Sequence, residues 1–361
     1  MSKRIFLSPP YVGKAERDMV ARAFDSNYIA PCGPHVDAFE AGLAKLAGRR
    51  FAVAVSSGTA ALDLLMDCFE LDSSWEVITS SLTFIASAGP AYHRGARLAF
   101  VDSDRSGNLD VRLLEKALKE SRAPRKMVIA VDLYGRCCDY GKLEKLCTRF
   151  GAVLIVDSAE AVGAKCGVRP SGSAGVAAIY SFNGNKIITT SGGGAVLTDD
   201  PGIAAAVRKR SQQARENCLW YEHERVGYNY RLSNILGAIG LAQLARLPAI
   251  LKKRAAIAAH YRALGGESLP PVAGENHWLN IHLAKDEAGR DALIAALAAE
   301  NIESRPVWKP MHLQKVFCGA KIYGGKISED LFRRGVCLPS GTGMTAADLR
   351  RVDKVLERFK A

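Results

Sequence analysis

Two residues carry the strongest chemical signal in this chain. Lys186 lies in Ser181-Phe182-Asn183-Gly184-Asn185-Lys186-Ile187-Ile188-Thr189-Thr190, just before Gly192-Gly193-Gly194. Upstream, Asp157 closes the apolar run Ala152-Val153-Leu154-Ile155-Val156. A lone loop lysine is ordinarily solvated. A lysine on a glycine-bounded loop, paired with a carboxylate at the end of a buried strand, is what pyridoxal phosphate (PLP) chemistry requires. The amine holds the cofactor as a Schiff base, and the carboxylate keeps the pyridine nitrogen protonated so that the ring accepts electrons.

A phosphate needs its own cradle. Ser56-Ser57-Gly58-Thr59-Ala60-Ala61-Leu62 follows an apolar run and opens a helical pattern. Small residues let the backbone close around an anion, and N–H groups without helical partners attract it. That stretch is therefore a candidate phosphate site, with Ser181 as a second ligand from the lysine loop. Phe84, at the start of another helical stretch, is placed to stack on the pyridine ring.

These side chains must be held by a scaffold, and the pattern of apolar runs supplies one. Strands are expected at Phe51–Val55, Glu76–Thr79, Arg97–Val101, Met127–Asp132, Ala152–Val156, Val176–Ser181 and Gly194–Thr198. Amphipathic stretches at Ala60–Glu70, Phe84–Arg94, Asp110–Ser121 and Tyr140–Phe150 lie between them, so the sheet should be mainly parallel, an α/β architecture of seven strands. Residues 201–264 read as helices, interrupted near 217–230 and bent or broken at Pro248. After Gly265-Gly266 the pattern changes to a strand at His277–Leu283 and helices at Glu287–Glu300 and Asp348–Phe359. The expected division is a large cofactor-binding domain over 1–245 and a small C-terminal α/β domain over 246–361.

Composition narrows the function classes. The 361 residues include 48% hydrophobic and 24% charged side chains, a globular balance. Apolar stretches such as Val153 to Val156 are too short to span a membrane, and the first residues lack the apolar block of a secretory signal. Nine cysteines, with no Cys-x-x-Cys pair, read as reduced thiols in a cytoplasmic protein without a metal site. The net charge of +12 is dispersed, with no nucleic-acid-reading motif. A basic surface suits small anionic ligands instead.

Five stretches together resemble the DegT-type family of sugar aminotransferases: Ser57-Gly58-Thr59-Ala60, Thr83-Phe84, Asp157-Ser158-Ala159-Glu160, the Ser181-to-Gly194 loop, and Gly227-Tyr228-Asn229-Tyr230-Arg231. The likeness runs from Leu7-Ser8-Pro9-Pro10 to Leu338-Pro339-Ser340-Gly341. It implies a fold-type I PLP enzyme working as a homodimer with active sites at the subunit interface. In it Lys186 bears the cofactor, Asp157 meets the ring nitrogen, Gly58, Thr59, Ala60 and Ser181 hold the phosphate, and Asn229 reaches that phosphate from the other subunit. Ser26 to Pro31, Asn183 to Gly194 and Trp308-Lys309-Pro310-Met311-His312 resemble aminotransferases acting on UDP-linked 4-keto-6-deoxy-N-acetylhexosamines, which make the precursor of bacillosamine. That likeness implies L-glutamate as amino donor and substrate contacts from Asn27, Tyr28, Asn183, Lys309 and His312. GDP- or dTDP-linked 4-keto sugars, and a regulator that binds PLP without turnover, are the competing expectations. Glu160 stands where much of the family has glutamine. An ionised carboxylate accepts hydrogen bonds and pairs with cations where an amide would donate.

Overall fold

The computed structural model describes residues 3–359. All seven expected strands are present, as Phe51–Val55, Trp75–Ser80, Arg97–Val101, Arg125–Val131, Val153–Asp157, Ala177–Ser181 and Gly194–Thr198. They belong to a sheet of eight, not seven. The eighth, Lys321–Tyr323, comes from the C-terminal part and pairs parallel with Arg97–Val101 at the sheet edge. Three residues with an exposed lysine at one end carry too little apolar pattern to be read as a strand.

From that edge the order is Lys321–Tyr323, Arg97–Val101, Trp75–Ser80, Arg125–Val131, Val153–Asp157, Ala177–Ser181, Gly194–Thr198, Phe51–Val55. The first six are mutually parallel, and Gly194–Thr198 runs antiparallel to both its neighbours. Alternate residues feed two cores. Ile78, Val128, Val156 and Ala178 pack with Phe39 and Leu43 on one face. Val77, Met127, Ile155 and Ile179 pack with Leu62 and Leu65 on the other. Both faces are covered, as a parallel sheet requires.

Two helical expectations change. Phe84–Arg94 is not one helix: a single turn, Ile85–Ser87, is followed by a five-residue helix, Gly89–His93. Gly89-Pro90 forces the restart, because proline has no N–H to continue the earlier turn. Conversely, Pro248 breaks nothing. Helix Asn234–Leu264 runs through it for 31 residues. Helices Lys14–Asp25 and Pro34–Ala47 clamp its sides, and that packing outweighs one lost hydrogen bond. By length and composition this helix is apolar enough to cross a membrane, yet Gly237, Ala242, Leu247, Ile250 and Ile257 are buried within the fold.

The same helix runs through the expected boundary at 245/246 and carries the chain into the smaller unit. There a three-stranded antiparallel sheet, Asn280–Leu283, Gly335–Leu338 and Arg305–Pro306, packs against helices Glu287–Ala299 and Ala346–Leu356 through Leu293, Leu297, Val336, Val352 and Val355. The first strand begins at Asn280, not His277. His277 has φ +56 and turns Trp278 away from the sheet toward the larger unit. Buried Arg254, on the long helix, ties the pieces together. It donates to Thr342 Oγ1 (2.9 Å), the Trp278 carbonyl (2.9 Å) and Ser8 Oγ (3.0 Å). With no carboxylate beside it, burial pushes this guanidinium down to about 9.

Candidate active site

The parallel strands end on one rim, where open α/β sheets bind their ligands. Asp157 is the last residue of Val153–Asp157, and Ser181 the last of Ala177–Ser181. Between them and the smaller unit lies a cavity of ≈ 330 Å³. Gly58, Thr59, Phe84, Asp157, Glu160, Ser181, Asn183 and Lys186, eight of the residues singled out from sequence, line it together.

Asp157 is buried. Its carboxylate accepts from Ser87 Oγ at 2.7 Å and from the Ala159 N–H at 3.1 Å. Ser87 is in turn 2.8 Å from Thr83 Oγ1. Burial pushes the carboxyl upward, against those hydrogen bonds and the charge of Lys186. A carboxylate in that position gains most from a cation placed against it.

Lys186 leaves the loop after Ala177–Ser181. Its Nζ lies 3.5 Å from Glu160 Oε1 and 4.0 Å from the centroid of the Trp278 ring. Glu160 is also buried; its other oxygen accepts the Tyr134 N–H at 2.7 Å. Burial raises this carboxyl too, opposed chiefly by Lys186.

At the far end, helix Gly58–Cys68 begins. Ser57 Oγ accepts the Ala60 N–H at 3.0 Å, so Ala60 is engaged within the cap while Gly58 and Thr59 face the cavity. The helix start sits unusually close to strand Gly194–Thr198. A Cβ on Gly194 would lie 2.4–2.5 Å from the Ser57 and Gly58 backbone, so only glycine permits this approach. A Cβ on Gly58 would likewise press on Ser181 at 3.1 Å. First-turn N–H groups and a serine hydroxyl converge on a space wide enough for an anion.

The other expected residues lie elsewhere. Asn229 is exposed, bridging Gln212, and does not line the cavity. Asn27 and Tyr28 are exposed near the start of helix Pro34–Ala47. Lys309 lines a neighbouring groove of ≈ 840 Å³, which shares Asn185 and Trp308 with the cavity. Both ring nitrogens of His312 are occupied, Nδ1 with Ser81 Oγ at 2.6 Å and Nε2 with Glu329 Oε1 at 3.0 Å. That histidine joins the smaller unit to the sheet rim.

Known proteins share this arrangement. Residues 10–357 match the DegT/DnrJ/EryC1/StrS aminotransferase family. The chain belongs to that family. It is 42% identical to EpsN of Bacillus subtilis (strain 168), which bears the name of a pyridoxal phosphate-dependent aminotransferase, over 99% of this chain and 96% of that one. It is 36% identical to the GDP-perosamine synthase of Caulobacter vibrioides, over 98% of each. The solved structure of DesI with its TDP-sugar product superposes with a TM-score of 0.89 at 30% identity, covering 99% of this chain and 93% of that one. The protein is thus a PLP-dependent sugar aminotransferase of fold type I.

The cavity of this aminotransferase fits the cofactor. A buried carboxylate needing a cation, an amine across the cavity and a glycine-walled helix start would suit the ring nitrogen, the carbonyl and the phosphate of PLP. Sequence reading did not single out Ser87, Tyr134 or Trp278 for this site. Ser87 and Tyr134 lie in single helical turns, Ile85–Ser87 and Leu133–Gly135, too short to show a periodicity. Trp278 arrives from the smaller unit, more than 90 residues after Lys186, and only the left-handed backbone at His277 turns it inward.

Proposed function

We propose that this aminotransferase moves the amino group of L-glutamate to the C4 ketone of a nucleotide-linked 4-keto-6-deoxy sugar, with UDP-2-acetamido-2,6-dideoxy-4-keto-hexose, a bacillosamine-type precursor, as substrate. The observation that carries the reading is the pairing of Lys186 and Asp157 in one cavity. Bound there, PLP supplies a carbonyl carbon that takes and passes on an amino group, and a ring that stores charge meanwhile. Asp157 holds a proton at the ring nitrogen, and Ser87 and the Ala159 N–H keep its carboxylate aimed. Gly58, Thr59 and Ser181 bind the phosphate. Lys186, once free, moves the proton of the amino donor.

The adjoining groove supports the nucleotide. It carries Lys309 and Arg305, the latter paired with Glu303 at 3.2 Å, and opens past Trp308, so a diphosphate has Lys309 beside it while the sugar reaches Lys186. A second reading, a GDP-linked substrate, is favoured by the 36% identity to a GDP-perosamine synthase. A homodimer with shared sites is supported by the segment before Asn229, where Leu219 is 99% and Val226 94% exposed beside exposed Trp220 and Tyr221. Phe84, half exposed at the cavity mouth, fits the same interface. We place the enzyme in the cytoplasm, where nine free thiols are stable.

Comparing kcat/KM for UDP-, GDP- and dTDP-linked 4-keto sugars tests the proposal. The UDP-N-acetyl sugar is expected to lead. A preference for the GDP sugar would install the second reading, and no turnover with any of the three would overturn both.

A further inference from the structure

The aminotransferase needs Lys186 in two states, joined to the cofactor and free. The structure provides a place for the free one. We propose that Glu160 and the indole face of Trp278 form a docking site for the Lys186 ammonium, with Glu160 taking and returning its proton.

The site is built, not incidental. The ammonium faces Glu160 Oε1 at 3.5 Å and the Trp278 ring at 4.0 Å, a carboxylate on one side and a π-face on the other. Asn276, itself buried, fixes both partners at once. Its Nδ2 donates to the Glu160 carbonyl at 2.9 Å and to the Val162 carbonyl at 3.0 Å, and its Oδ1 accepts the Trp278 N–H at 2.9 Å. Trp278 Nε1 donates to the Asn185 carbonyl at 2.7 Å, which attaches the ring to the lysine's own loop. Tyr134, with φ +53, turns its N–H onto Glu160 Oε2. The next residue must be glycine: a Cβ on Gly135 would fall 1.8 Å from Asn276 Oδ1, and its φ is +88. The left-handed backbone at Tyr134 is what aims that N–H at the carboxylate.

This geometry suits glutamate at position 160 better than glutamine. An amide at this position would have one oxygen for the Tyr134 N–H and an NH₂ facing the ammonium, donor against donor. A carboxylate accepts on both sides. In the proton step an N–H bond of Lys186 breaks and an O–H bond of Glu160 forms, leaving a neutral amine and a neutral acid; the reverse restores the ion pair. No other reactant enters, and the pair has zero net charge throughout. The titratable groups around Glu160 are Lys186, Asp157, Tyr134 and, from the strand Gly335–Leu338, Cys337. Only Lys186 among them carries a positive charge. Burial lifts the Glu160 carboxyl, opposed chiefly by Lys186.

The inference rests on Lys186 being the cofactor-bearing lysine but not on the sugar, so the test avoids turnover. Full-length protein stripped of PLP is labelled with trinitrobenzenesulfonate across a pH series, and modification of the Lys186 peptide is read by mass spectrometry. Glu160→Gln is expected to raise labelling at neutral pH about tenfold, because the amine loses its carboxylate partner. Glu160→Asp should recover part of the protection. Trp278→Leu, which keeps the carboxylate, should give a smaller rise in the same direction and covers the case in which Glu160→Gln fails to fold. An unchanged Lys186 profile in folded Glu160→Gln and Trp278→Leu would overturn the proposal. A failure of the sugar assay alone would leave these profiles as they are.

Discussion

Asp157 and Asp132 are buried carboxyls that demand different accounts. Asp157 stands beside a cavity, and its charge is useful only against a protonated ring nitrogen. Asp157→Asn should therefore fold and bind PLP while losing at least roughly a hundredfold in kcat, as expected for removing a proton-holding group. Near-normal turnover would assign the ring nitrogen to another residue. Asp132 sits one strand away, accepting from Tyr140 (2.6 Å), Ser158 (2.5 Å) and the Cys138 N–H (2.9 Å), with no cation nearby. Burial pushes it up to about 6 from the ordinary 3.8. A carboxyl raised on folding stabilises the native state below its unfolded value and loses that contribution as pH rises through its folded value. Relative to Asp132→Asn, the wild type should lose about 3 kcal/mol of stability between about pH 4 and pH 6. Urea titrations of both proteins across that range measure it, and parallel curves would contradict it.

Among the elements, the strand Gly194–Thr198 shows how packing shapes the site. It lies so close to the start of helix Gly58–Cys68 that a methyl group has nowhere to go. Gly194→Ala should cost about 1–3 kcal/mol and weaken PLP binding, because the phosphate cradle is what must move; equilibrium dialysis against PLP and thermal melts check both. The seven longer strands were legible in the sequence because their apolar runs are buried on both faces, and Asp157 and Lys186 because each closes or follows such a run. Lys321–Tyr323 was not, since a short edge strand takes its order from its neighbour and not from its own pattern. The helix is not broken at Pro248 for the converse reason: a proline's local penalty is visible in sequence, while the two helices that pack along the long helix are not. Trp278 and Tyr134 owe their places to positive backbone angles at His277 and Tyr134, which no periodicity records.

At the scale of the whole molecule, the proposed dimer makes the site of one chain incomplete. Lys186, Asp157 and the phosphate cradle converge, while Asn229 sits exposed on a segment with its apolar residues in solvent. A second copy completes both features in the proposed dimer, where each site draws Lys186 from one protomer and Asn229 from its partner. Mixing Lys186→Ala with Asn229→Ala subunits under exchange conditions should therefore give more activity than the two variants assayed apart. Hybrid dimers then contain one intact site. Simple addition of the separate activities would show that each site is built within a single chain.

Every step of the account passes through Lys186, so the most direct test is to find where the cofactor attaches. PLP-loaded protein is reduced with borohydride, digested and mapped by mass spectrometry. The account predicts a stoichiometric pyridoxyl group on the peptide containing Lys186, and none anywhere after Lys186→Ala. Attachment at another lysine, or persistence of the label in that variant, would contradict it.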